Sequence, residues 1–185
     1  MNILTKLASV VIGGTLVLSG SPARSDQTME DHKVLWNSLN SVGITTLLNE
    51  PSVCNHGSDG YYYSRGRTIV VCQDNASKTS SEEVAWTDND LDTFRHESHH
   101  VLQDCLSGTL GDSVTKLLFD TEESFEDFVG PRLTRSQIGS IIDSYTIQGA
   151  PEDVIIKEIE AFAVARSVSP LVIANAIDNS CVVNK

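Results

Sequence analysis

Basic side chains are scarce in this 185-residue chain, with 13 lysines and arginines against 25 aspartates and glutamates. The formal net charge is −12 at pH 7. Nucleic acids and anionic membrane surfaces are bound through basic patches, so this balance argues against both as partners. Neutral or basic substrates are compatible with it, and the negative charge favours solubility.

Long apolar segments are missing after the first 25 residues. The one apolar run, Leu7 to Leu18, follows an early lysine and is shorter than the ~20 residues that a spanning helix needs. Ala23 and Ser25 then form an A-x-A-like pattern, which predicts a signal peptide over residues 1–25, cleaved after Ser25. A membrane anchor is the alternative. We expect a secreted or periplasmic protein without membrane contact after cleavage, with residues 26–185 forming one domain.

Closely spaced cysteine pairs are absent, which argues against a thiolate metal site. The chain has four cysteines, all after the predicted cleavage site, and an even count in an exported chain predicts two disulfides. Four cysteines allow three pairings. We favour Cys54 with Cys72, because they bracket a predicted hairpin, and Cys105 with Cys181, because this pair would tie the C-terminus to a central helix.

The hydrophobic patterns predict an α+β domain that is mostly helical, with a small β-sheet near its start. A helix is expected over residues 29–43, a short strand in ITTLL (44–48) and a hairpin in GYYYSRGRTIVVCQD (60–74). After Thr87 the spacing is helical. Further helices are predicted over about residues 90–106, 113–129, 135–145, 151–168 and 170–178.

The segment His96-Glu97-Ser98-His99-His100 matches the pattern H-E-x-x-H. On a helix, His96 and His100 lie one turn apart on the same side, so both imidazoles can reach one metal ion. Glu97 is displaced by about 100° around the helix, where it can accept a proton without being a ligand. Two histidines and one carboxylate suit zinc, with a fourth position for water. A solvated polar face is the alternative interpretation.

The third ligand must be an acid, because no histidine follows His100. The segment KEIEAFAVAR (157–166) offers two glutamates that point in different directions on a helix. Glu158 falls inside the apolar arc, where a metal would compensate a buried charge. Glu160 falls at the polar edge. We therefore expect Glu158 to be the ligand, with Glu160 as the alternative, and at least one of the two to lie on a solvated edge.

In residues 94–105 and 157–166 the chain resembles the gluzincin-type zinc metallopeptidases, in which a glutamate on a later helix follows H-E-x-x-H. The resemblance implies a zincin-like domain, a Zn²⁺ cofactor and a peptide or protein substrate. Peptide bonds would be hydrolysed by a zinc-activated water, with Glu97 as the general base. A zinc-binding module without peptidase activity and a non-enzymatic, disulfide-stabilised helical domain are the alternatives.

The chain departs from these relatives after the expected glutamate. They often carry an acid four residues later that braces a histidine ligand, and Phe162 occupies that position here. Asp104 and Asp120 are candidate substitutes. By the same resemblance, GYYY (60–63) or TIVVC (68–72) would pair with an extended peptide.

Several side chains are candidates for stabilising the oxyanion that develops during peptide hydrolysis. They are Tyr61, Tyr62, Tyr63, Tyr145, His99 and Arg95. Nothing in their spacing selects one of them. His99 does not fit the two-ligand geometry, and we expect it to support the site, to donate a proton or to be exposed.

Overall fold

The computed structural model describes residues 29–181, so the predicted signal peptide and its cleavage site lie outside the described residues. The α+β prediction is confirmed. The elements are α1 (Met29–Ser41), β1 (Thr45–Leu48), α2 (Pro51–Cys54), β2 (Gly60–Tyr63), β3 (Thr68–Val71), α3 (Asp88–Cys105), α4 (Glu122–Val129), α5 (Arg135–Ile147), α6 (Glu152–Ser167) and α7 (Pro170–Ser180).

The three strands form one sheet in the order β1-β3-β2, with β1 parallel and β2 antiparallel to β3. The predicted strand and hairpin are confirmed. Because β3 has a partner on both sides, TIVVC cannot pair with an extended peptide, and that alternative was wrong. β2 lies at an edge of the sheet, so GYYY is left as the candidate.

Two helix starts differ from the predicted pattern for local reasons. The short helix α2 was not predicted; it begins at Pro51, and the Glu50 side chain accepts a hydrogen bond from the Ser52 main-chain amide. Pro151 was expected as the first helical residue and is instead the N-cap of α6. Both prolines therefore mark helix starts.

The helix over residues 113–129 was wrong in its first half. Only Glu122–Val129 is helical, and Thr121 caps it. Upstream, the main-chain amides of Leu118 and Phe119 donate to the buried carboxylate of Glu160 at 3.1 to 3.3 Å. These main-chain amides therefore donate to a side chain that is distant in the sequence, and they are not available for the hydrogen bonds of a helix.

The central helix is α3, which packs against β2, β3, α6 and α7. Thr87 caps it and forms a reciprocal capping box with Asp90. The helix therefore begins at Asp88, two residues earlier than predicted. Most of its length is buried, including many polar side chains on the side that carries His96 and His100. Buried polar groups need partners, so this side of α3 must face other polar groups.

The apolar core has two clusters. One joins α1, the sheet, α3 and α7, and the other joins α4, α5 and one side of α6. Helix α6 contributes to both, with Val164 in the first cluster and Ile159 in the second. The contact between α3 and α6 therefore lies at the junction of the two clusters.

Both predicted disulfides are formed, between Cys54 and Cys72 and between Cys105 and Cys181. The second joins the end of α3 to the residue after α7. Within residues 29–181, no helix has the length and apolar character needed to cross a bilayer.

Candidate metal centre

Two side chain to main chain hydrogen bonds set the register between α3 and α6. Arg95 donates through Nε to the carbonyl of Ala165 at 2.7 Å, and Gln103 donates through Nε2 to the carbonyl of Lys157 at 3.1 Å. Ala161 and Ala165 are buried, and their small side chains permit the two backbones to approach closely. The stretch of α3 between these bonds therefore faces α6 in a defined alignment.

This alignment brings His96, His100 and Glu158 together, as the sequence predicted. The two Nε2 atoms are 3.1 Å apart, His96 Nε2 is 3.1 Å from Glu158 Oε2, and His100 Nε2 is 3.4 Å from Glu158 Oε1. Ligands 2.0 to 2.1 Å from a tetrahedral zinc ion are about 3.3 Å from one another. The three side chains can therefore hold a metal ion.

Glu160, the alternative ligand, belongs to a different environment. It is fully buried, and its Oε1 lies 2.8 Å from His99 Nε2 and 3.0 Å from Gln103 Nε2. Our expectation that one of the two glutamates would lie on a solvated edge was wrong. The segment that carries Leu118 covers this side of α6, and a helical projection of α6 does not include such a neighbouring segment.

The side chain that braces His100 is a glutamine, not an acid. The Nδ1 atom of His100 is 2.8 Å from Oε1 of Gln103. His96 has no such partner among the described residues at its Nδ1 atom, and its ring packs against Phe162 with the centroids 4.5 Å apart. The two histidines are therefore held differently, one by a hydrogen bond and one by an aromatic contact.

Neither aspartate proposed as a brace has that role. The buried Asp104 accepts hydrogen bonds from Tyr62 Oη at 2.6 Å and from Ser64 Oγ at 2.7 Å, and Asp120 is exposed. Asp104 instead joins α3 to β2. Burial and this contact with Asp104 raise the pKa of Tyr62 well above its usual value, so the phenol keeps its proton.

Glu97 lies beside His96 in the wall of a cleft between β2 and the helices α5 and α6, and its side chain is largely buried. A Cβ on Gly60 would lie 2.9 Å from Glu97 Oε1 and 2.6 Å from Thr93 Cγ2, so β2 can pass this close to α3 only as glycine. Burial raises the pKa of Glu97 to about 7, although the charge of His100 lowers it. A carboxyl with this pKa can both accept and release a proton near neutral pH.

The two histidines have opposite pKa shifts in the metal-free protein. Burial lowers the pKa of His96 to about 4, and the hydrogen bond that His96 donates to Glu158 opposes this shift only in part. Burial also lowers the pKa of His100, but the hydrogen bond and charge of Glu158 outweigh it and raise the pKa to about 9. Despite burial, both histidines hold the pKa of Glu158 well below its usual value. A metal would thus replace a proton on His100.

Among the oxyanion candidates, Tyr145 is the one with a hydrogen bond to a ligand. Its Oη donates to Glu158 Oε2 at 2.7 Å, and its ring lines the cleft. Tyr61 and Tyr63 are about half exposed and stack on each other. Tyr62, His99 and Arg95 are engaged with Asp104, Glu160 and the Ala165 carbonyl respectively.

The cleft has a volume of about 740 Å³ and runs between β2 and the helices α5 and α6, with His96, Glu97 and His100 in its wall. The Asp59 carbonyl accepts from the Cys72 amide. Because bonding alternates along an antiparallel pair, Gly60 and Tyr62 direct their main-chain groups away from β3. The edge of β2 that faces away from β3 therefore borders the candidate metal centre, and the Tyr62 main-chain amide on this edge donates to the Glu97 carboxylate.

Comparison with family models, with curated proteins and with solved structures found no match for this chain. The interpretation of the site therefore depends on its own geometry.

Proposed function

We propose that this protein is a zinc-dependent metallopeptidase of the zincin type that hydrolyses peptide bonds. The observation that carries the proposal is the triangle of ligand atoms from His96, His100 and Glu158, with sides of 3.1, 3.1 and 3.4 Å. These distances match three corners of a tetrahedral zinc site, and two imidazoles with one carboxylate are a ligand set of catalytic zinc sites. A bound zinc ion would lower the pKa of a coordinated water and polarise a carbonyl.

Glu97 is the proposed general base. It follows a ligand directly in the sequence and lines the same cleft, yet its carboxylate is not part of the ligand triangle. With a pKa raised to about 7 by burial, it can take a proton from the attacking water and deliver it to the leaving amine. Gly60 supports this role because any larger residue would displace the Glu97 side chain.

The proposed substrate is an extended peptide that pairs with the edge of β2 that faces away from β3. Main-chain pairing on an exposed edge gives affinity without dependence on sequence. Tyr145 would donate from its Oη to the developing oxyanion, because it already reaches the ligand carboxylate at 2.7 Å. In this role Tyr145 would exchange Glu158 for the substrate oxygen as the acceptor of its hydrogen bond.

We further propose that the protein acts outside the reducing cytosol. Its four cysteines form two disulfides, and no free cysteine is present. Disulfides persist in the periplasm and outside the cell, and they are rare in the cytosol. The location agrees with the signal peptide expected from residues 1–25.

The test compares the wild type, Glu97→Gln and Glu152→Gln on a mixed-sequence peptide library, with zinc content measured on each purified protein. Glu152 is exposed in the first turn of α6 and provides a matched control. We expect Glu97→Gln to lose about 10²- to 10⁴-fold in cleavage rate while keeping its zinc. Glu152→Gln should behave as the wild type.

Three results would contradict parts of the proposal. Less than about half an equivalent of zinc in the wild type would exclude the metal centre, since a catalytic site needs one ion per chain. Zinc without cleavage in the wild type would leave a binding module or a hydrolase of another bond. Cleavage that survives Glu97→Gln would remove Glu97 as the base.

A further inference from the structure

His100 can bind a metal through Nε2 only if that nitrogen carries no proton, so in the neutral ring the proton must lie on Nδ1. Nδ1 is 2.8 Å from the side chain of Gln103. A glutamine can present either an accepting oxygen or a donating NH₂ group, depending on how its amide is turned. An accepting oxygen at this distance favours the Nδ1–H tautomer of His100, whereas a donating NH₂ group would favour the Nε2–H tautomer, for which Glu158 Oε1 at 3.4 Å is the nearby acceptor.

Two acceptors decide the orientation of Gln103. Its Nε2 lies 3.0 Å from Glu160 Oε1 and 3.1 Å from the main-chain oxygen of Lys157. A rotated amide would place its oxygen against both of these oxygens and its NH₂ group against His100. Gln103 is fully buried, so water cannot compensate for the lost hydrogen bonds.

The carboxylate of Glu160 is itself held as an acceptor. The Leu118 amide lies 3.1 Å from both oxygens, and the Phe119 amide lies 3.3 Å from Oε2. Main-chain amides can only donate, so both oxygens must accept. Glu160 is fully buried, and its contacts join α6 to the segment before α4.

We propose that Glu160 and Gln103 are positioning residues that together fix His100 as the Nδ1–H tautomer and so present its Nε2 atom to the metal. Neither residue touches the metal or the substrate. The inference rests on the metal role proposed for His100, but the tautomer it describes is that of the neutral ring in the metal-free protein and can be measured there. It also gives a function to the glutamate that is not a ligand.

His99 provides an internal reference on the same helix. Its Nε2 is 2.8 Å from Glu160 Oε1, so Nε2 must donate and this ring must be the Nε2–H tautomer. Its Nδ1 atom is buried and has no hydrogen-bond partner within residues 29–181. One carboxylate thus places adjacent histidines in opposite tautomers, directly for His99 and through Gln103 for His100.

The test is a long-range ¹H–¹⁵N correlation spectrum of the metal-free protein at alkaline pH, where the imidazoles are neutral. The spectrum distinguishes the protonated from the unprotonated ring nitrogen of each histidine. We expect a proton on Nδ1 of His100 and on Nε2 of His99. A proton on Nε2 of His100 in the wild type would overturn the proposal without any variant.

Two variants test the cause. Gln103→Leu removes the acceptor, and Glu160→Gln supplies an NH₂ group that allows Gln103 to turn. In both we expect His100 to gain Nε2–H and zinc affinity to fall by about 10- to 100-fold. The matched control is Gln148→Leu, because Gln148 lines the same cleft but donates only to Ser144.

The outcomes separate this inference from the proposed function. If the folded Gln103→Leu protein keeps Nδ1–H on His100 and wild-type zinc affinity, the positioning role is refuted and the metal centre stands. If the wild type has the expected tautomers and Gln103→Leu changes them, but neither the wild type nor any variant binds zinc, the proposed function fails. The role of Gln103 in fixing the tautomer of His100 then still stands.

Discussion

Helices α3 and α6 bring together two pairings of histidine with glutamate, and the two differ in how their carboxylates are surrounded. Glu158 faces the imidazoles of His96 and His100, and its side chain is 13% exposed at the cleft. Glu160 faces His99 and is fully buried among further donors. The same residue types therefore form a site that can take an ion and a closed structural contact.

The two carboxylates differ in how many of their lone pairs already accept hydrogen bonds. The oxygens of Glu160 accept from a histidine, a glutamine and two main-chain amides. Glu158 accepts from Tyr145 and lies beside two Nε2 atoms that also converge on each other. Two imidazole nitrogens 3.1 Å apart leave a place that a cation fills well. A carboxylate with every lone pair engaged, such as Glu160, offers no such place.

The largest expected effect is on folding. Glu160→Ala leaves several buried donors without an acceptor, and we expect the free energy of unfolding to fall by about 3–5 kcal/mol. Glu158→Ala should lower it by less, about 1–3 kcal/mol, because His100 can lose the proton that Glu158 stabilises and water at the cleft can replace part of the contact. Urea denaturation of the metal-free variants measures both. Equal losses would mean that the two carboxylates do not differ as described.

The second effect is on metal binding. Glu158→Ala removes a ligand, and we expect zinc affinity to fall by more than the about 100-fold that loss of a supporting contact causes. Glu160→Ala, where it folds, should lose less. Competition with a chromophoric chelator gives both constants. A larger loss in Glu160→Ala would reverse the assignment of the ligand.

The third effect is a proton released on metal binding. The pKa of His100 is raised to about 9 in the metal-free protein, so at pH 7 a proton must leave before Nε2 can bind. Zinc affinity should therefore rise about tenfold per pH unit between pH 7 and 9 and level off above pH 9. His96, with a pKa lowered to about 4, should release none in this range.

Calorimetry in two buffers of different ionisation enthalpy counts the protons released. About one proton is expected for the wild type at pH 7. Glu158→Ala removes the carboxylate that raises the pKa of His100, so its release should be smaller. No release from the wild type would contradict the pairing of His100 with Glu158.

The smallest effect is on stability in acid. Burial lowers the pKa of His99 below 6.5, and although burial raises that of Glu160, its hydrogen bond with His99 lowers it below 4.5. At these two groups the folded state thus binds fewer protons than the unfolded state. The stability that these groups contribute is complete above about pH 6.5 and is lost as the pH falls, first at His99 and then at Glu160.

Thermal unfolding of the metal-free protein between pH 7 and 3 measures this loss. Glu160→Gln has no carboxylate to titrate, so its melting temperature should fall less than that of the wild type below pH 4.5. Parallel curves for the two proteins would show that Glu160 does not contribute to acid sensitivity.

The structure places the favoured glutamate, Glu158, beside His96 and His100, but part of the reason for favouring it was wrong. Glu158 was preferred over Glu160 because it fell in the apolar arc of α6, yet Glu160 is the more buried of the two. A helical projection shows which residues share a side but not what covers that side. The segment at Leu118 and Phe119 covers Glu160, and its pattern had been interpreted as helical.

Local chemistry in the sequence determined the positions of most helices, the hairpin and the spacing of His96, Glu97 and His100. These depend on caps, periodicity and residue type, which act over a few positions. Tertiary structure alone decided the partners of the buried polar groups. Gln103 became the brace and Glu160 its support because α3, α6 and the Leu118 segment meet at that point. No local pattern encodes such a contact, since its members are about 15 to 60 residues apart and burial makes each depend on the others.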